Sequence, residues 1–184
     1  MALVGLKNLH YALIESGATA GGDDNDAEES YGDIKKIGHA VSVDINPELQ
    51  TVSLYGDDMA VETESSMKEV TVTIETTDIP ISDLAAILGH SASGEDGYTA
   101  SMSDQAPYVA LLFESAKHDG STRCVKLLKG KFAPTQETIN TKGENIEYQV
   151  PQLTGTFVAT KKGPWKIVKD FAKGESTDSW YQSV

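Results

Sequence analysis

The sequence holds one cysteine, Cys124, so no disulfide can close within the chain and a small secreted, cross-linked scaffold is excluded. It has no apolar run of about 18 residues, the length a membrane-spanning helix needs. Positive charge is scarce: fifteen Lys and Arg stand against twenty-eight Asp and Glu, a formal charge of −13. A surface that acidic repels nucleic acid as a general rule and offers no basic footprint for it. Aromatic residues make up 7%, and Trp165 and Trp180 both lie near the C-terminal end, which leaves little for a sugar-binding platform. No nucleophile elbow, phosphate-cradling glycine loop or CxxC pair is present. The opening MALVGLKNLHYALIES lacks a continuous apolar core and a small-residue cleavage pattern, so it does not read as a signal peptide. The expected compartment is a cytoplasm.

What remains is a chain of 184 residues, long enough as one domain (1–184) to bury roughly 70% of its unfolded surface. Its hydrophobic pattern is mostly of period two. NLHYALIE (8–15) reads as a strand, followed by an acidic, glycine-rich segment, 17–30, with the composition of a flexible loop. KKIGHAVSVDI (35–45) alternates, with Val41, Val43 and Ile45 on one face, and Asn46-Pro47 is expected to end it. TVSLY (51–55) starts a further short strand. The clearest alternation is KEVTVTIET (68–76), where Val70, Val72 and Ile74 oppose Thr71, Thr73 and Glu75. ISDLAAILG (81–89) predicts the one helix: Ser82 as cap, a face of Leu84, Ile87 and Leu88, and Gly89 as stop. APYVALLFESAK and STRCVKLLKGKF flank an Asp119-Gly120 pair and predict a hairpin. A Lys142-Gly143 turn, alternation through Ile146, Tyr148 and Val150, a strand over 165–171 and a polar tail (173–184) complete the chain. The expectation is a mainly β fold: a two-sheet antiparallel β-sandwich or partly closed barrel with one short α-helix.

Candidate chemistry is thin. His10, His39, His90 and His118 lie in separate segments without close partners, so a metal site would have to be assembled in space; surface or half-buried histidines fit the spacing better. DDNDAEES (23–30) alternates acids like a calcium loop, but Glu29 stands where the turn needs Gly and Lys35 where the closing acid belongs. A solvated loop is the expectation there. Cys124, inside an apolar strand, reads as a core residue, and the three lysines of KLLKGK (126–131) as spread over both faces. YGDDMAVETESS (55–66) gathers Asp57, Asp58, Glu62 and Glu64 without a visible proton acceptor, pocket or substrate-positioning group. No catalytic, cofactor-binding or metal-ligating residue is assigned.

In order along the chain, LVGLKNLHYAL (3–13), LYGDDMAVETESSMKEVTVTIETTDIP (54–80) with the helix and Leu88-Gly89-His90 after it, APYVALLFES (106–115), KGKFAPTQETINTKGENIEYQVPQLTGTF (129–157) and the aromatic-containing end at Ser183-Val184 form a collinear set. Together these segments resemble the major tail proteins of long-tailed, non-contractile bacteriophages, a family common in phages of Gram-positive hosts. The match is collinear over nearly the whole chain, and the acidic loop 17–30 is its weakest part. The resemblance implies a structural subunit of the tail tube, not an enzyme. It implies two antiparallel sheets flanked by a short helix, a fold shared with the tubes of contractile injection systems. It further implies homo-hexameric rings stacked around a tape-measure protein, started by a tail-tip initiator and closed by a tail terminator. The virion tail is then assembled in the host cytoplasm, and genomic DNA passes through the lumen without specific binding; no membrane is involved. Net acidity suits such a conduit, because carboxylates on the bore keep a polyanion from sticking.

Within that picture the polar strand faces, Thr71, Thr73 and Glu75 or Glu147 and Gln149, are candidates to line the lumen. Gly56, Asp57, Asp58, Met59, Ala60, Val61, Glu62, Thr63 and Glu64, within a loop expected over 55–67, are candidates to reach a neighbouring subunit. The alternatives are a tube protein of a contractile injection system and a β-sandwich carbohydrate-binding module.

Overall fold

The alternating segments become strands, and their pairing builds one antiparallel sheet that curls into a half-barrel. A computed structural model describes residues 2–15, 29–56, 59–93, 97–135, 141 and 150–184. The strands are β1 (Leu3–Glu15), β2 (Ser30–Tyr31), β3 (Lys35–Lys36), β4 (Ala40–Gly56), β5 (Met59–Thr76), β6 (Ser91–Ala92), β7 (Tyr98–Thr99), β8 (Val109–Lys117), β9 (Thr122–Ala133), β10 (Gln152–Phe157) and β11 (Lys166–Phe171). The large sheet runs β2-β1-β8-β9-β10-β5-β4, with β11 on β9 and β3 on β1; β6 and β7 form a separate pair. The expected mainly β architecture with one short α-helix is therefore present, on the partly closed barrel side of the expectation.

The apolar residues of alternate positions meet inside the curl. Val70, Val72 and Ile74 pack with Leu153, Phe157, Phe132, Leu127, Leu111, Tyr11 and Leu9. Helix α1 (Ile81–Leu88) lays Ile87 and Leu88 on the same core, as its length requires, since eight residues are too few to hold a helix alone. The Tyr11 hydroxyl donates to Asp83 Oδ1 at 2.8 Å and ties the helix to β1. Gly89 adopts φ +73° after the last turn, as expected of a stop, and a Cβ there would lie 2.2 Å from the Gln105 carbonyl oxygen. The cap differs from expectation: Pro80 precedes the first turn and no side chain caps it, while Ser82 lies inside the helix. The β8–β9 hairpin forms as expected, Lys117 N–H donating to the Ser121 carbonyl at 2.8 Å around Gly120 at φ +83°.

A second apolar cluster lies on the opposite face of β8 and β9, under the C-terminal residues. Ala110, Leu112, Cys124 and Phe171 are covered by Trp180, from a 3₁₀ turn over Asp178–Tyr181. The tail that reads as polar is thus a strap. Lys126 holds it, its ammonium 4.3 Å from the Trp180 ring centre and hydrogen-bonded to the Ser183 carbonyl. Beneath it Glu114, 1% exposed, accepts a 2.7 Å hydrogen bond from Asn8 Nδ2 and pairs with Lys7 at 3.2 Å. Asn8 can aim there because it sits at φ +54° in a bulge of β1.

Two expectations about strand limits are corrected. Asn46-Pro47 does not end a strand: β4 runs through it, because β4 is the edge strand of the described sheet, where a proline is tolerated. The stretch 55–67 is not a loop between strands. Residues 59–67 belong to β5, which pairs with β4 down to Gly56↔Met59. The acidic loop 17–30 lies outside the described residues except at Glu29 and Ser30, as does the alternation over 142–149.

Candidate assembly surface

The pairing of β4, β5, β10 and β9 sets polar residues in rows across the face opposite the core. Ser42, Glu75 and Gln152 form one row; Asp44, Thr73, Thr154 and Ala133 the next; Asn46, Thr71, Thr156 and Lys131 the third. Ser42 Oγ donates to Glu75 Oε2 at 2.8 Å, and the Thr73 and Thr154 hydroxyls share a hydrogen bond at 3.3 Å. The structure thus gathers Thr71, Thr73 and Glu75 on one half-buried polar face, as alternation predicts. Glu147 and Gln149 lie outside the described residues. The row partners from β4 and β10 are the residues sequence reading missed, although Thr154 and Thr156 alternate with Leu153 and Gly155 in QLTGTF and carry the same signal.

Lys129 and Lys131 extend this face on β9. The three lysines of KLLKGK fall on one side, not two, because β9 carries one extra residue between Leu127 and Gly130 opposite Val109 and Leu111. That bulge reverses the alternation. Lys129 and Lys131 lie 4.9 and 4.3 Å from the Tyr108 ring centre, and Lys129 pairs with Glu29 at 2.7 Å.

Beyond this face the β4–β5 hairpin continues alone among the described residues. β10 reaches β5 only at Val70–Glu75, whereas β4 and β5 stay paired to Gly56↔Met59. From residue 48 the arm projects by nine residues of β4, about 30 Å at the usual rise of a strand. Along 48–55 and 62–68 every side chain is exposed except the half-buried Ser53. Leu49, Val52, Leu54, Tyr55 and Met59 are between 62% and 71% exposed. A two-stranded ribbon with neither face covered, as here among the described residues, is marginal in water.

Of the residues singled out for a neighbour contact, Gly56 and Ala60 are placed by strand pairing, Val61 lies in β5 at a register shift, and Met59, Glu62, Thr63 and Glu64 are on the arm; Asp57 and Asp58 lie outside the described residues. Glu62 stands opposite Leu54 and Glu64 opposite Val52. Among the described residues no three His, Cys, Asp or Glu come together to hold a metal ion, and no helix is long and apolar enough to cross a membrane. His39 and His118 are exposed; His10 lies against Tyr181, the ring centres 4.5 Å apart and the planes tilted by 40°, and His90 pairs with Asp104 at 2.7 Å. Cys124 is fully buried, and burial, with the Glu114 carboxylate beside it, pushes its thiol up to about 12.

A family model described as phage tail tube protein matches residues 32–183. The match takes in the arm, the polar face and the strap, but not β1. No curated protein matches the chain.

Proposed function

Because the chain belongs to the phage tail tube protein family, and is a structural component of the virion tail that self-assembles into a tube, we propose that its arm carries the contacts between copies. Copies add as hexameric rings, stacked around a tape-measure protein between a tail-tip initiator and a terminator, and the finished tube conducts the genome during ejection. The observation that supports this is the β4–β5 arm, some 30 Å of strand that no other described segment of the chain covers. Covering its open edges and its exposed Leu49 and Met59 supplies burial that elongation needs. The polar face bearing Thr71, Thr73 and Glu75 lines the lumen in this reading, and with Asp44 and Glu48 it presents carboxylates to passing DNA.

Negative-stain microscopy of purified protein at rising concentration tests the first part. Wild-type protein is expected to form rings or tubes, and a chain lacking 58–64 to remain a folded monomer by circular dichroism. Normal tubes from that deletion would show the tip of the arm to be a plain solvated connection. For the lumen, Glu75→Lys is expected to slow DNA ejection from tails of normal appearance; unchanged ejection would remove this face from the bore.

A further inference from the structure

The geometry points to one face of the arm as the side that seats on a second copy of this chain: the uncharged face made by Leu49, Thr51, Ser53, Thr63, Ser65 and Met67. This rests on the arm being an assembly element and says which side of it docks. Strand register fixes the two faces. On one, Leu49 stands opposite Met67, Thr51 opposite Ser65 and Ser53 opposite Thr63. On the other, Gln50 stands opposite Ser66, Val52 opposite Glu64 and Leu54 opposite Glu62. The first face prolongs the core side of β4, where Val43 and Ile45 pack against the core; the second prolongs the polar rows of Asp44 and Asn46.

Three physical features favour the uncharged face. Its hydroxyls already have partners, Thr51 with Ser65 at 3.0 Å and Ser53 with Thr63 at 3.2 Å. Removing water from such satisfied pairs costs little, whereas burying Glu62 or Glu64 without a counter-charge costs several kcal/mol. Leu49 and Met67, 69% and 39% exposed, add an apolar contact at the base. The occupant is a molecule of charge −13, so like-charge repulsion selects against the face with two glutamates. Val52 and Leu54 are apolar on that other face, but each has a carboxylate directly across the ribbon. A second copy is the occupant because the family builds its tube from copies of one chain.

The test places one added charge on either face of the intact chain. Ser65→Glu and Thr63→Glu load the uncharged face; Val52→Glu loads the acidic one with the same charge at an equally exposed strand position. Assembly is read as the critical concentration for sedimenting polymer, with thermal melting of the monomer as the check on folding. The first two variants are expected to raise the critical concentration by more than about tenfold, a like charge buried at a contact costing more than 1.4 kcal/mol. Val52→Glu is expected to stay within about twofold of wild type. Assembly at the wild-type concentration by Ser65→Glu and Thr63→Glu overturns the face assignment, as does a block confined to Val52→Glu. If the 58–64 deletion polymerises normally, the assembly role itself fails, and that outcome is distinct from either of the others.

Discussion

At the scale of single residues, close packing and burial make the sharpest demands. Gly130 sits where β9 crosses the Phe157 ring, and a Cβ there would lie 2.5 Å from that ring. Phe157 is fully buried, so it cannot swing aside into water. Gly130→Ala is expected to cost about 1–3 kcal/mol, read as a fall of several degrees in melting temperature. An unchanged melting point would mean that the ring yields. His10 titrates below the ordinary histidine value, chiefly because it is buried; the Lys36 charge adds to this, while the Asn8 carbonyl and Glu114 oppose it. A depressed histidine binds its proton more readily in the unfolded chain. Its site is therefore fully stable above about pH 6.5, and stability falls as pH drops from there toward the folded value. His10→Phe should flatten melting temperature against pH between about 7 and 5. A slope identical to wild type would assign that acid sensitivity elsewhere.

At the scale of elements, the strap and the arm are opposites. The arm is a long element that no other described segment covers; the strap, 178–184, is a short one that covers Cys124, Leu112 and the Glu114 carboxylate. Removing residues 178–184 is expected to leave the half-barrel folded by circular dichroism but to raise the alkylation rate of Cys124 by more than about tenfold at neutral pH. A rate equal to that of the full chain would show that the sheet alone shields the thiol. Much of this scale is readable in advance. Period-two alternation gives β5, and an Asp-Gly pair between two strand-like runs gives β8, β9 and the turn that joins them. The bounds of β4 are not readable, since a proline breaks a central strand but not an edge strand, and only the pairing order reveals which one this is. The arm is hidden for the same reason: Thr, Ser and Glu exposed on both faces carry no hydrophobic period, so 55–67 looks like a loop.

At the scale of the whole molecule, the governing quantity is a charge of −13 on a subunit that must meet its own kind. Copies repel at long range, and assembly waits until short-range contacts outweigh that repulsion. Raising salt from about 0.01 M to about 0.15 M shrinks the screening length from about 30 Å to about 8 Å. The critical concentration for tubes is therefore expected to fall over that range. A rise instead would show that opposite-charge pairs between copies dominate the interface.

The sequence alone determined the β class, the single helix with its glycine stop, the polar and apolar faces of β5, the buried cysteine and the family, because each is carried by local alternation, turn chemistry or collinear segments. The tertiary structure decided the rest. Which strands lie side by side assembled the polar rows, one extra residue in β9 brought three lysines to one side, and the end of β10 at Phe157, opposite Val70, left the arm without a third described strand. Those features depend on neighbours distant in the chain, and no local pattern encodes where a neighbour stops.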